Sequence, residues 1–195
     1  AVAFDQPLRL FQFFQEPLQV FSSGRTDAGV HARAQVIHVD VTKPVSALEK
    51  WDIAWAVRKD LPDSISIKKV YIAPPDFHCT MSPIKKTYKY YVWNHLRRPA
   101  FLSRYSLWVR KSLDLELMNR YCQEVVGKHD FKSFQSVGTP LPHTVRTIHS
   151  CSWKQLKPNL IEFEVTGDGF LKQMVRNIVG TQLYYEKKGS DPKII

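Results

Sequence analysis

The sequence predicts an α+β fold in which a mostly antiparallel sheet is flanked by helices. Segments with strand-like alternation are interleaved with segments of helical spacing, without the regular rhythm of a parallel βαβ protein. There is no internal repeat or low-complexity tract, and 44% hydrophobic with 24% charged residues is ordinary for a folded chain. A length of 195 residues allows one domain or two small ones.

Four segments carry the pattern of a strand. Apolar and polar residues alternate over 37–41 and over 161–165, which predicts two strands that each bury one face. The segment 88–93 has aromatic residues on both faces, so we expect a strand with neither face fully in water. A shorter apolar strand is expected at 18–21, just before a glycine-containing segment.

Two segments show the spacing of amphipathic helices. Leu48, Trp51 and Trp55 recur at helical spacing as one apolar stripe, which predicts one helix over this stretch. A second helix is predicted over 117–125, where Asp114 can cap the start and Gly127 the end. Both helices are expected to pack on the sheet.

A third helix is predicted to begin near Phe170, with Asp168 in capping range. Its apolar stripe includes Leu171, Met174 and Ile178. Arg176 lies within this predicted helix, but a charged arginine does not belong to its apolar stripe.

Charge and cysteine content narrow the class of protein. The chain has 28 Lys and Arg against 18 Asp and Glu, a net charge of +10, which favours a polyanionic partner. Three cysteines without a CxxC pair support neither a disulfide framework nor a cysteine zinc site, so we expect a reducing compartment. Without a long apolar run or a signal-like segment, we expect a protein that is neither membrane-embedded nor secreted.

The most informative segment is the run Ser-Ser-Gly-Arg-Thr-Asp-Ala-Gly-Val-His at 22–31. Its two glycines permit a tight, exposed turn between two strands. Asp27 lies at the tip of that turn, two residues from Arg25, which can hold the carboxylate ionised. The alternative is an Asx-turn in an ordinary solvated loop.

On this run the sequence resembles the TruA family of tRNA pseudouridine synthases, whose signature Gly-Arg-Thr-Asp-Ala-Gly-Val-His is matched without a break from Gly24 to His31. Further blocks follow in the order of the family: Phe77-His78, Ser82, Tyr88-Lys89-Tyr90, Asn94-His95, His129-Asp130-Phe131, Ser133-Phe134, and Phe170 with the run 174–180. The resemblance covers most of the chain. It departs from the family at Cys79-Thr80, which is commonly Ala-Arg, and at Lys86, which is commonly Arg.

The resemblance implies a two-part pseudouridine synthase fold with a central catalytic cleft. It also implies an isomerase that converts uridine to pseudouridine in the anticodon stem-loop of tRNA, at positions 38 to 40. Asp27 would attack C1′ of the ribose or remove the 2′ proton, and the sequence leaves both routes open. Neither route requires a metal or cofactor, and we expect none.

The other site residues are also implied by the resemblance. Tyr88 would stack on the target base near its C5 proton, Arg176 would pair with Asp27, and Arg25 would fill the gap left by the departing uridine. Phe170 is expected to contact the substrate as well. The alternatives are a packing aromatic for Tyr88, an exposed helix-face residue for Arg176, and a partner of Asp27 for Arg25.

Basic residues around the aromatic strand are candidates for phosphate contacts, although any of them could lie on a solvated face. These candidates are Lys85, Lys86, Arg97 and Arg98. His31 and His38 lack a third ligand nearby, so we assign no metal.

The expected organisation is an N-terminal half, 1–104, with the Asp27 loop and Tyr88, and a C-terminal half, 105–195, with the Arg176 helix. Relative to the family, both ends look incomplete. The expected partner is tRNA, bound by a cytoplasmic homodimer. The other classes considered are an RNA-binding protein without activity, which has no need of Asp27, and a metal-dependent nuclease, which needs more clustered acids.

Overall fold

The computed structural model describes residues 13–49, 52–58, 61–136, 138 and 143–194. Within them the chain forms two compact units that divide after Pro83. The sequence-based division after residue 104 lies elsewhere, between two strands that pair with each other in the second unit. No helix among the described residues is long and apolar enough to cross a membrane.

The first unit is built around a short antiparallel pair of strands. Its elements are β1 (Val20–Ser22), β2 (Ile37–Val39), α1 (Val45–Leu48) and α2 (Ile53–Arg58). The strands confirm the predictions near 18–21 and 37–41, but the single helix predicted from Leu48 to Trp55 is wrong, because two short helices occupy this stretch. Trp51 lies outside the described residues.

The second unit contains a five-stranded sheet in the order β4-β3-β7-β6-β5. Its strands are β3 (Lys86–Asn94), β4 (Leu107–Val109), β5 (Gly127–Asp130), β6 (Val145–Lys157) and β7 (Leu160–Gly167). Every neighbouring pair is antiparallel except β3 and β4. The predicted α+β class and the predicted strands at 88–93 and 161–165 are therefore confirmed.

Helices α3 (Leu115–Val125) and α4 (Met174–Lys188) accompany this sheet. Asp114 caps α3 as predicted, since its Oδ1 accepts a hydrogen bond from the Leu117 N–H at 2.9 Å. The helix ends at Val125 with Val126 as its C-cap residue, and Gly127 follows directly with φ of +113°, where it begins β5.

The core of the second unit lies where one face of the sheet meets both helices. Alternate residues of β7 point into it, among them Phe163 and Val165, and they pack with Met118 of α3 and Ile178 of α4. These side chains are almost completely buried, and such burial stabilises each by about 1.5–3 kcal/mol. The central strand β7 is therefore fixed on the helix side as well as by its neighbours.

The opposite face of β7 carries a cluster of charged residues. The side chain of Glu162 is only 4% exposed, and its Oε1 lies 3.0 Å from both Lys89 Nζ and Lys154 Nζ. Burial alone would raise the pKa of Glu162, but the hydrogen bonds from the two lysines outweigh it and hold that pKa below its ordinary value. Lys89 also contacts Glu164, so three strands are joined across this face.

Candidate active site

The loop between β1 and β2 carries Asp27 in the first unit. The backbone N–H of Val30 donates to the Asp27 carbonyl at 3.0 Å, which closes a tight turn from 27 to 30. Gly29 occupies the third position of this turn with φ of +76°, a conformation that other residues rarely adopt. The turn leaves Asp27 exposed, as the glycine pattern predicts.

The neck of this loop is closed by a small hydrogen-bond network. The Ser23 N–H donates to the Val36 carbonyl at 2.9 Å, and the Ser22 hydroxyl donates to the Gly24 carbonyl at 2.7 Å. Gln35 Nε2 donates to both the Ser22 hydroxyl and the Gly24 carbonyl. Sequence reasoning missed Gln35, because no local pattern shows that a residue eleven positions from Gly24 returns to its carbonyl.

A layer of aromatic rings supports the two strands below the loop. The His38 ring stacks on Phe21 with centroids 4.6 Å apart and 7° between the planes, and His78 meets His38 edge-on at 4.8 Å. The Cys79 N–H donates to His38 Nδ1 at 3.2 Å. His38 therefore has a structural role in this layer.

Cys79 and Thr80, where the sequence departs from the family pattern, both have a defined place in the structure. Cys79 is fully buried, and the Thr80 hydroxyl donates to the Ser22 carbonyl at 3.0 Å. The turn over 77–82 thus holds the end of β1, where the Asp27 loop begins. His31 is exposed, and no group of three or more His, Cys, Asp or Glu side chains suited to a metal ion occurs in the described part of the chain.

In the second unit, Tyr88 lies near the start of β3. It pairs with Val165 of β7, so its side chain is on the face that also carries the core residue Phe163. At this end of the strand the ring remains 39% exposed. It meets Phe170 edge-to-face, with centroids 4.9 Å apart and 75° between the planes. The structure thus brings together two of the predicted site residues.

Phe170 is positioned by the bend that follows β7. Gly167 has no room for a side chain, since a Cβ there would lie 2.8 Å from the Thr147 carbonyl oxygen and 3.3 Å from Phe170 Cζ. Asp168 bonds Thr147 twice, its N–H donating to the Thr147 carbonyl and its Oδ1 accepting from the Thr147 N–H, both at 3.0 Å. The bend is therefore held against β6.

Asp168 does not cap the third helix, so that prediction is wrong. The helix begins at Met174 rather than near Phe170, because Gln173 has φ of +60° and interrupts the helical backbone. Partial burial would raise the pKa of Asp168, but its hydrogen bonds from Thr147 keep the pKa lowered. The carboxylate that was expected to cap α4 instead fixes the bend.

Arg176 lies in the first turn of α4 and is exposed, between the buried residues Met174 and Ile178. The start of this helix is held by contacts with its surroundings. Asn177 Nδ2 donates to the Phe134 carbonyl at 2.9 Å, and the Met174 N–H donates to the Leu171 carbonyl at 3.1 Å. Arg176 is thus presented from a fixed backbone, while its pairing with Asp27 stays a prediction.

The four basic candidates fall at the two ends of β3. Lys85 and Lys86 are at its start, beside Tyr88, and Arg97 and Arg98 follow its end. Arg98 lies over the Trp108 ring at 5.4 Å from the centroid. Arg25 is exposed in the Asp27 loop.

Comparison with known proteins identifies the family of this chain. A family described as tRNA pseudouridine synthase matches residues 121–195, a range that includes Phe170 and Arg176. The tRNA pseudouridine synthase A of Bdellovibrio bacteriovorus is 51% identical over 183 residues, which cover 94% of this chain and 70% of that protein. The enzyme of the same name from Bacillus subtilis is 36% identical over 92% of this chain and 71% of its own length. The chain therefore belongs to the tRNA pseudouridine synthase A family, as the resemblance of its signature loop indicates.

Proposed function

We propose that this protein isomerises uridine to pseudouridine in tRNA, at positions 38 to 40 of the anticodon stem-loop, and that Asp27 is its catalytic carboxylate. The observation that carries the proposal is the closed loop that exposes Asp27 at its tip, supported by the Gln35 bonds at its neck. The relatives named above support the reaction and the tRNA substrate.

The reaction needs one carboxylate and a route for one proton. The N1 glycosidic bond of uridine breaks, the base turns, and C5 bonds to C1′; C5 loses its hydrogen to water and N1 takes up a proton in its place. Asp27 either attacks C1′ or removes the 2′ proton, and its oxygen is needed in both routes. The exposed turn leaves this oxygen accessible to a nucleotide that has been turned out of the RNA stack.

In the second unit, Tyr88 provides a flat face for the uracil ring. Its edge-to-face contact with Phe170 limits the orientations that the phenol ring can adopt. Arg176 pairs with Asp27 in this proposal and keeps the carboxylate ionised once the substrate has excluded water. Arg25 fills the space that the uridine vacates, and Lys85 and Lys86 meet phosphates near Tyr88.

Asp27→Asn tests the chemistry directly. Tritium placed on C5 of uridine in tRNA is released to water once per pseudouridine formed, so its release measures turnover. We expect Asp27→Asn to lose release while tRNA binding is kept, because the amide has the same size without the reactive oxygen. Asp63→Asn is the matched control, since Asp63 is an exposed carboxylate of the same unit outside the loop.

The outcomes separate the candidate functions. Equal tritium release from Asp27→Asn and the wild-type chain would remove Asp27 from the mechanism. Binding of tRNA without any release by the wild-type chain would instead favour an RNA-binding protein without activity.

The assembly and location belong to the same proposal. We propose a cytoplasmic homodimer in which two subunits bind one tRNA across a joint basic cleft. The net charge of +10 suits this partner, and the three cysteines are free, buried thiols, as a reducing compartment allows. Sedimentation of the protein at several concentrations, with and without tRNA, measures the stoichiometry.

A further inference from the structure

The connection between β3 and β4 carries a surface that the proposed chemistry does not use. We call residues 95–106 the β3–β4 loop. The stretch from His95 to Leu113, which contains this loop and β4, has no acidic residue. Its basic residues are Arg97, Arg98, Arg104, Arg110 and Lys111. This part of the chain therefore repels other cations and attracts a polyanion.

The same loop exposes aromatic and apolar side chains to solvent. Phe101 is 94% exposed, Leu96 is 70% exposed and Tyr105 is 56% exposed. Exposed aromatic rings next to arginines are the arrangement by which proteins hold unpaired nucleotides, since rings stack on bases and cations meet phosphates. The composition of the loop thus matches a single-stranded RNA segment.

The first residues of the loop are anchored to the neighbouring strands, and a turn from Leu102 to Ser106 closes its second half, with the Ser106 N–H donating to the Leu102 carbonyl at 2.9 Å. The indole N–H of Trp93 donates to the Arg97 carbonyl at 3.0 Å, and that of Trp108 donates to the His95 carbonyl at 2.8 Å. Asn94 Nδ2 donates to the Val109 carbonyl at 3.0 Å. The Asn94-His95 motif therefore has a structural role, because both residues bond to β4 and fasten the start of the loop to it.

A cleft is lined by residues of this loop and of β4. Its volume is about 290 Å³, and its lining residues are Arg98, Pro99, Ser103, Ser106, Leu107 and Trp108. Arg98 and Arg110 both lie over the Trp108 ring, at 5.4 and 5.9 Å from the centroid. Both guanidinium groups therefore lie close to the Trp108 ring, which lines this cleft.

Charge decides between RNA and a second copy of this chain as the occupant. In a symmetric contact between two copies the same patch would face itself. Five cations would then approach five cations with no acidic residue from the same stretch to compensate, which is unfavourable. An RNA strand brings one negative charge per nucleotide and a flat base for each exposed ring.

The base that stacks here is not the uridine that reacts. The loop follows the carboxyl end of β3, whereas Tyr88 is near the start of that strand. β4 runs parallel to β3 and its first residue, Leu107, pairs with Val92, so the two ends of the loop lie four to six residues of extended chain from Tyr88, about 13–20 Å along the strand. A nucleotide on the loop and a uridine on Tyr88 are therefore different positions of one RNA.

We propose that the β3–β4 loop is a second RNA-binding site, in which Phe101 and Tyr105 stack on unpaired bases of the tRNA while Arg97 and Arg104 meet the adjacent phosphates. The inference rests on the proposed function for the identity of the RNA. It adds a contact with bases that lies away from the reacting uridine.

Substitutions of Phe101 separate stacking from simple apolar contact. We expect Phe101→Ala to raise the Kd for a tRNA transcript by about five- to a hundredfold, the range found when one stacking ring is lost. Phe101→Trp should keep the affinity because it keeps a flat ring, while Phe101→Leu should behave like alanine because it is apolar without one. Tyr105→Ala should also weaken binding.

Tyr184→Ala is the matched control. Tyr184 is 52% exposed in the same unit, on α4 and outside the loop. Its removal should leave the Kd unchanged. Because Phe101 buries almost nothing, all Phe101 variants should also melt at the wild-type temperature.

The salt dependence gives a second, independent measurement. Removing a phosphate contact reduces the slope of log Kd against log salt by about one, whereas removing a stacking ring does not change it. Arg97→Gln should therefore flatten the slope, and Phe101→Ala should raise the Kd at every salt concentration with the slope preserved.

Three outcomes would overturn the inference. Phe101→Ala could bind tRNA as tightly as the wild-type chain, Phe101→Leu could bind as tightly as Phe101→Trp, or the Phe101→Ala chain could sediment as a smaller species without RNA. The last result would assign the patch to contact between copies. Tritium release by the wild-type chain tests the proposed function separately. An absence of release would count against the proposed function, whereas the three outcomes above count against the second RNA-binding site.

Discussion

Among the glycines of this chain, Gly167 is the one at which the structure leaves the least room for an added side chain. It ends β7 and precedes the bend that carries Phe170. In Gly167→Ala the new Cβ would lie 2.8 Å from the Thr147 carbonyl oxygen, 2.9 Å from Ile148 Cδ1 and 3.3 Å from Phe170 Cζ. The first neighbour is backbone of the adjacent strand β6, which cannot turn away as a flexible side chain can.

The expected cost follows from these contacts. Forcing one extra methyl group into a packed site costs about 1–3 kcal/mol, which for a chain of this length lowers Tm by roughly 2–12 °C. Gly180→Ala is the matched control, because Gly180 lies within α4 with nothing within 4 Å of its added Cβ. Alanine should stabilise the helix there by about 0.5–1 kcal/mol, so the two substitutions should have opposite signs.

The same substitution should also reduce activity. Displacing Phe170 removes an edge-to-face contact with Tyr88 that is worth about 0.5–1.5 kcal/mol, so kcat/KM should fall roughly two- to tenfold. Thermal unfolding and tritium release measure the two effects. A Gly167→Ala chain as stable as wild type would refute the rigid bend, and a less stable chain with unchanged kcat/KM would show that Phe170 does not orient Tyr88.

Two further predictions concern charged residues. Arg176→Ala should slow single-turnover formation of pseudouridine, with Arg176→Lys intermediate because lysine restores the charge without the forked geometry; equal rates for all three chains would make Arg176 an ordinary surface residue. Glu162→Gln should lower the free energy of unfolding at pH 7 by about 1–2 kcal/mol, less than for a fully buried pair because Lys89 and Lys154 are partly exposed. Because the pKa of Glu162 is lowered in the folded protein, its stabilisation is present above the unfolded pKa near 4.3 and is lost as the pH falls below it. The difference between Glu162→Gln and wild type should therefore shrink in acid, and a constant difference from pH 7 to pH 3 would contradict the assignment.

Local patterns predicted the elements whose geometry is decided locally. Alternation predicted the strands that became β2 and β7, and the acid at position 114 predicted the start of α3 because its side chain reaches an N–H only three residues away. The Asp27 turn was predictable for the same reason, since Gly29 permits its backbone conformation.

Contacts between distant segments were not predictable in this way. Glu162 alternates with apolar residues and was expected on a half-buried strand, yet it is nearly buried because lysines from β3 and β6 cover it. Asp168 has the position of a helix cap but bonds Thr147, 21 residues earlier. The bonding of Gln35 and the anchoring of the β3–β4 loop likewise depend on which strands lie side by side.

The pairing of β3 on both sides also bears on how far apart two bases of a bound RNA are held. A strand paired on both sides does not stretch, so the two ends of the β3–β4 loop, one after Asn94 and one level with Val92, stay at a constant distance from Tyr88. That distance of about 13–20 Å along the strand equals roughly four to six stacked bases at about 3.4 Å each. In a tRNA bound as proposed, the loop would therefore hold an unpaired base several nucleotides from the target. Inserting many nucleotides between them in the transcript would separate the two contacts and weaken binding.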